Sequence, residues 1–211
     1  MPLFKQWTEK GASWGIWKVT ESFQELRSQL NESCVDVELD QMKSPSRKME
    51  YLAVRVLLKA LTGTEHRILH RQSGKPYLAD SSCFFTVSHT KGYVAIGLHP
   101  QKEVGIDIEQ VAERVRKVTS RFVREDELPE WQQHSPSRQL YELLLVWSAK
   151  ETLFKIMNAS AVDFVEHLRI HPFQLHEEGM LQGREYRTDD RRTYAVNYLT
   201  HPDFVCTYVV E

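Results

Sequence analysis

Helical and strand patterns fall in blocks along this sequence, helices before strands, and they do so twice. That order predicts an α+β fold rather than the regular βα alternation of a doubly wound sheet. Two further observations support it. Each half carries one long stretch of helical apolar periodicity, over residues 45–61 and 138–157, and each stretch is followed by runs rich in β-branched and aromatic residues.

Taken in order, residues 14–20 (WGIWKVT) alternate large apolar with small or polar side chains and predict a strand. Residues 21–30 predict a helix, with Phe23, Leu26 and Leu30 at spacings of three and four. Ser44 followed by Pro45 predicts an N-cap and first helical residue. The helix carries Leu52, Val56, Leu57 and Leu61 and stops at Gly63. A turn at Ser73-Gly74-Lys75-Pro76 precedes three strand-like runs, 84–88, 93–98 and 104–108, separated by Thr90-Lys91-Gly92 and His99-Pro100. A mixed charged stretch occupies 113–130. The second long helix follows, its apolar side formed by Leu140, Leu143, Leu144, Trp147, Leu153 and Phe154. Residues 165–175 and 193–210 predict antiparallel strands, and no internal repeat or low-complexity linker interrupts the chain.

Composition narrows the function classes. The 211 residues are 41% hydrophobic and 27% charged, ordinary values for a chain able to bury a core. Lys and Arg number 27 against 29 Asp and Glu, a net charge of −2, which argues against a general nucleic-acid binder. Cys34, Cys83 and Cys206 are odd in number and share no short spacing, so neither a disulfide framework nor a cysteine-rich zinc site is expected. No apolar run approaches the ~20 residues needed to cross a bilayer, and the first ten residues lack the apolar core of a signal peptide. A soluble, cytoplasmic, reduced protein is the expectation.

Two clusters carry possible chemistry. In Val104-Gly105-Ile106-Asp107-Ile108-Glu109, read as a strand, Asp107 and Glu109 share one face and the isoleucines the other. Two carboxylates side by side need a compensating charge, which a hard cation such as Mg²⁺ provides. The plainer alternative is a solvated edge strand. In residues 147–155 (WSAKETLFK), Trp147, Glu151 and Lys155 lie along one helical stripe with Lys150 beside it. An ordinary Glu–Lys pair accounts for Glu151 and Lys155 but leaves Trp147 on the polar stripe unexplained. Ahead of both clusters, Ser88 and His89 leave a strand. Adjacent residues there point to opposite faces, so a nucleophile–base couple is disfavoured, and anion binding or a capping role fits better.

Together, Gly74-Lys75-Pro76, Phe85–Thr90, Gly105–Glu109 and Trp147–Lys155 resemble, in order and spacing, the motifs of the 4′-phosphopantetheinyl transferases. The (V/I)G(I/V)D(I/V)E and WxxKE(A/S/T)xxK pair is the specific part, and the resemblance covers roughly residues 45–175. The length is similar to the Sfp type. That likeness implies two similar α+β halves, 1–103 and 104–211, packed as a pseudo-dimer with the active site in the cleft between them, in a monomer.

The resemblance implies transfer of the 4′-phosphopantetheine group from coenzyme A to a serine hydroxyl of an apo carrier protein, Mg²⁺-dependent, with release of 3′,5′-ADP. Asp107, Glu109 and Glu151 would hold Mg²⁺, and Glu151 would also serve as general base, directly or through a metal-bound water. Lys150 and Lys155 would meet the coenzyme A phosphates, Ser88 and His89 the 3′-phosphate, and Lys75 and Pro76 the adenine side. Arg47, with Arg55 as runner-up, would join the 3′-phosphate. The carrier would be acidic, an acyl or peptidyl carrier of fatty-acid, polyketide or nonribosomal peptide synthesis. Arg114, Arg116, Lys117, Arg121 and Arg124, a run without an acidic residue, would attract it, the plainer alternative being a solvated helix face. Two alternatives stay open: a metal-dependent hydrolase of coenzyme A or a nucleotide, and an inactive carrier-binding homologue.

Overall fold

The computed structural model describes residues 3–31, 34–128, 131–157 and 159–211, and for Cys34 the backbone alone. The chain divides into two units, Met1–Lys102 and Glu103–Glu211, each with its own apolar cluster. Both mix helix with antiparallel sheet, so the protein is α+β.

The first unit is a four-stranded antiparallel sheet, β1 (Leu3–Glu9), β2 (Ala12–Lys18), β5 (Phe84–Thr90) and β6 (Tyr93–His99), ordered β1-β2-β6-β5. A long helix, α3 (Pro45–Thr62), packs on β2 and β6. Its start and stop are those the sequence predicts: the Ser44 side chain accepts from the Arg47 N–H, Pro45 takes the first turn, and Gly63 ends it at φ +80°. Its inner face buries Leu52, Val56 and Leu57, each worth about 1.5–3 kcal/mol of hydrophobic stabilisation. Two short helices, α1 (Phe23–Arg27) and α2 (Cys34–Gln41), and a two-stranded ribbon of β3 (Ile68–His70) and β4 (Pro76–Leu78) complete the unit. The helix expected over 21–30 is therefore shorter, opened by a Ser22–Glu25 capping box and ended at Ser28. Strand β1 and helix α2 are additions to the predicted elements.

The second unit is a five-stranded antiparallel sheet: β7 (Val104–Gln110), β8 (Leu168–Ile170), β9 (Glu178–Glu185), β10 (Thr193–Thr200) and β11 (Phe204–Val210), ordered β7-β11-β10-β9-β8. The helix α4 (Pro136–Ile156) crosses one face of it, starting at Ser135, whose hydroxyl accepts from Arg138 N–H. The charged stretch after β7 winds into a 3₁₀ helix, Glu113–Arg121. Of the range 165–175 expected as a strand only β8 (168–170) is in the sheet, because the chain leaves it after Ile170 and returns at Glu178 as β9, which the predicted strands did not include. Gly105 lets α4 settle onto β7, since a Cβ there would stand 2.6 Å from the Thr152 carbonyl oxygen. That close approach brings the helix's polar side chains onto the strand's carboxylates. None of the described helices is long and apolar enough to cross a membrane.

Candidate active site

Strand β7 alternates as a strand must. Ile106 and Ile108 are buried on the face away from α4, while Gly105, Asp107 and Glu109 lie under the helix. Asp107 sits directly opposite Thr207 of β11, and Glu109 opposite Val205. From α4, Lys155 donates to Asp107 Oδ1 and to the Ile106 carbonyl, both at 2.8 Å. Trp147 donates its indole N–H to Glu109 Oε1 at 2.7 Å. The Trp147 that a surface ion pair left unexplained is thus a carboxylate ligand in its own right. Its ring is wedged between Phe122, edge-on at 5.0 Å, and Phe164 at 5.7 Å.

Three carboxyls gathered under partial burial repel one another, and their proton affinities record it. Glu151 is pushed up to about 7, first by loss of solvation, then by Asp107 and Glu109, with Lys155 opposing. Glu109 is also raised, by burial and then by Asp107, against the Trp147 hydrogen bond, Arg114 and Lys155. Among the described residues no three His, Cys, Asp or Glu side chains already converge on a metal position, and Lys155 holds one oxygen of Asp107. The donor set nonetheless fits a hard dication: all oxygen, crowded, and electrostatically short of positive charge.

One expected site residue, Lys150, is turned into the interior. Lys150 is fully buried, and its ammonium donates to the Phe122 carbonyl at 2.5 Å, Glu127 Oε2 at 2.8 Å and the Phe164 carbonyl at 2.9 Å. Three donors meet three acceptors, so this side chain has none to offer a phosphate in this arrangement. Burial pulls the Lys150 pKa down while Glu127 pulls it up. Glu127, also fully buried, accepts from the backbone N–H groups of Arg124 and Ile170, both at 2.6 Å. Sequence reasoning missed Glu127, because it lies in a run of charges that look alike.

The remaining expected residues belong to the first unit. Arg47 is exposed in the first turn of α3, and His89 is exposed on β5 with its ring 3.5 Å from Glu50, one turn along α3 from Arg47. Those three mark one corner of the unit. Ser88 is buried, on the opposite strand face from His89 as alternation requires. Arg55 is turned inward, stacked 3.4 Å over the Tyr51 ring and paired with Glu38 at 3.1 Å. Lys75 and Pro76 leave the β3–β4 turn, where Gly74 takes φ +84°. In the basic run, Arg116 is tied to Glu113 and the Pro136 carbonyl and Arg124 to Asp126, leaving Arg114, Lys117 and Arg121 as its exposed members.

Residues 103–209, which hold the carboxylates, Trp147 and Lys155, match the sequence model of the 4′-phosphopantetheinyl transferase superfamily. The chain belongs to that superfamily. Among its relatives, the 4′-phosphopantetheinyl transferase AcpT of Salmonella typhi is 30% identical over 122 residues, 56% of this chain and 64% of that protein. The 4′-phosphopantetheinyl transferase gsp of Aneurinibacillus migulanus is 33% identical over 110 residues, 50% of this chain and 45% of its own length. A putative 4′-phosphopantetheinyl transferase of Haemophilus influenzae is 27% identical over 167 residues, 74% of this chain and 70% of that protein. The matched part thus spans less than two thirds of the Salmonella and Aneurinibacillus relatives. The superfamily model covers only the second unit of this member, so Arg47, Lys75, Pro76, Ser88 and His89 lie outside residues 103–209.

Proposed function

We propose that this superfamily member transfers the 4′-phosphopantetheine group of coenzyme A to a serine of an apo carrier protein. The observation that carries this reading is Glu151, a half-buried carboxyl raised to about 7 beside Asp107 and Lys155. In metal-free protein a carboxyl in that range can take a proton at neutral pH, as a general base must.

In the proposed reaction the serine oxygen bonds to the β-phosphorus of coenzyme A and the bond to 3′,5′-ADP breaks. The hydroxyl proton goes to Glu151, directly or through a water, and the leaving 3′,5′-ADP departs with the electron pair. Asp107, Glu109 and Glu151 would hold Mg²⁺, which when bound supplies positive charge to the pyrophosphate oxygens. Lys155 uses two of its three protons on the Ile106 carbonyl and Asp107, which leaves one for a phosphate oxygen. Trp147 keeps Glu109 oriented, since an N–H donor favours the ionised form. Arg47 and His89, exposed at one corner of the first unit, suit the 3′-phosphate, with Ser88 behind them and Lys75 and Pro76 toward the adenine. Arg114, Lys117 and Arg121 offer an acidic carrier a positive surface.

The test is incubation with coenzyme A, Mg²⁺ and a panel of apo carriers from fatty-acid, polyketide and peptide synthesis. The expected result is a phosphopantetheine mass gain on at least one acidic carrier, matched by 3′,5′-ADP release and weakened by salt. ADP release without a modified carrier would make the protein a hydrolase instead.

A further inference from the structure

Beneath the carboxylates lies a group of three hydroxyls that the reaction above does not use. Ser148 and Thr152 of α4 and Thr207 of β11 are all completely buried. Ser148 Oγ is 2.9 Å from Thr207 Oγ1, Thr152 Oγ1 is 2.6 Å from Thr207 Oγ1, and Thr152 Oγ1 donates to the Thr207 carbonyl at 3.2 Å. These three contacts fix the protons. Thr152 gives its proton to the carbonyl, so Thr207 must donate to Thr152, and Ser148 must then donate to Thr207. Each hydroxyl donates once and no proton is left over, a closed arrangement that one missing hydroxyl would open.

Its position ties it to the site. Thr207 is the residue directly across the strands from Asp107. Ser148, Thr152 and Lys155 follow at i, i+4 and i+7 on one face of α4, with Glu151 beside them. The surrounding helix–sheet contacts are apolar and therefore non-directional, whereas hydrogen bonds are directional. A slip of α4 by one residue would turn this face by about 100° and slide it about 1.5 Å, taking Lys155 off Asp107.

We propose that Thr207 is a positioning residue: through Ser148 and Thr152 it sets the register of α4 so that Lys155 and Glu151 stand beside Asp107. Its bearing on turnover rests on the transferase reading above; its bearing on Lys155 does not. Thr207→Val keeps the shape and removes the hydroxyl, Thr207→Ser restores it, and Val196→Ala is a control that loosens the same core without touching the hydroxyls.

The first readout is the rate of reductive methylation of Lys155, followed by mass spectrometry on the folded full-length chain. Thr207→Val is expected to raise it several-fold, Thr207→Ser to return it close to wild type, and Val196→Ala to leave it protected. Should Thr207→Val fail to fold, Ser148→Ala, which removes one oxygen, gives the same reading. The second readout is kcat for carrier modification, expected to fall about 10- to 100-fold in Thr207→Val with KM for the carrier unchanged, and to recover in Thr207→Ser. Unchanged Lys155 methylation in a folded hydroxyl-free variant overturns the proposal, as does a loosened Lys155 with undiminished kcat. If the wild-type protein modifies no carrier, the transferase reading fails and Lys155 methylation alone decides the role of Thr207.

Discussion

Trp147 donates its indole N–H to Glu109 Oε1 at 2.7 Å, joining α4 to the edge strand that carries the acidic motif. The bond holds Glu109 against the burial and the Asp107 charge that push its pKa upward. Trp147→Phe keeps an aromatic ring between Phe122 and Phe164 but removes the donor. We expect the variant to fold, to bind Mg²⁺ more weakly and to turn over at least ~10-fold more slowly, the scale on which groups supporting metal ligands act. Mg²⁺ titration and carrier kinetics check this, and wild-type values for both would reduce Trp147 to packing.

Glu151 makes stability depend on pH. Its folded pKa of about 7 stands above the ordinary 4.5, so the folded state holds this proton more tightly than the unfolded chain. Glu151 therefore favours folding fully below its unfolded pKa, and that contribution is lost as pH rises through 7. Glu151→Gln removes the dependence. In metal-free protein, the stability of the variant relative to wild type should grow between about pH 5 and about pH 8, by up to about 3 kcal/mol. Mg²⁺ should stabilise wild type more at the higher pH, where no proton need be displaced. Urea unfolding at a series of pH values measures both, and a pH-independent difference would contradict the crowding of these carboxyls.

Lys150 and Glu127 form a buried pair that knits α4 to the segments carrying Phe122, Phe164 and Ile170. Removing one partner strands the other charge in the interior, at a cost of about 3–5 kcal/mol. Lys150→Met and Glu127→Gln should each lose stability on that scale by denaturant unfolding. The double variant Lys150→Met/Glu127→Leu should lose much less than the sum of the single changes. A Lys150→Met protein of normal stability with a raised KM for coenzyme A would return this lysine to the phosphates.

How much of this was legible from residues alone follows from what each signal depends on. The β7 motif and the α4 stripe were readable because alternation and i, i+4 spacing are local and fix which side chains share a face. The cap at Ser44-Pro45 and the stop at Gly63 were readable for the same reason. The burial of Lys150 was not legible, because its partner Glu127 lies 23 residues away among unremarkable charges. Thr207 was invisible, since a threonine in a β-branched strand is the expected residue there. Strand β9, which carries Gly179 and Gly183, was not among the predicted strands. Gly183 is there because a Cβ would stand 2.7 Å from Leu153 Cδ1.

The first-unit contacts separate two arginines. Arg55 is committed to Tyr51 and Glu38, whereas Arg47 is exposed near His89. The wild-type protein should therefore prefer coenzyme A over dephospho-coenzyme A, and Arg47→Ala should lose most of that preference. Arg55→Ala should lower stability and keep the preference. The ratio of kcat/KM for the two substrates is the measurement, and the opposite outcome would make Arg55 the 3′-phosphate contact.

The central claim is that Glu151 takes the serine proton during transfer of phosphopantetheine to a carrier. Its most direct test is the single-turnover rate of carrier mass gain, with saturating coenzyme A and Mg²⁺, for wild type and Glu151→Gln. A loss of at least ~10²-fold is expected, the usual scale of general acid–base effects. A Glu151→Gln protein that modifies its carrier at the wild-type rate would contradict the account.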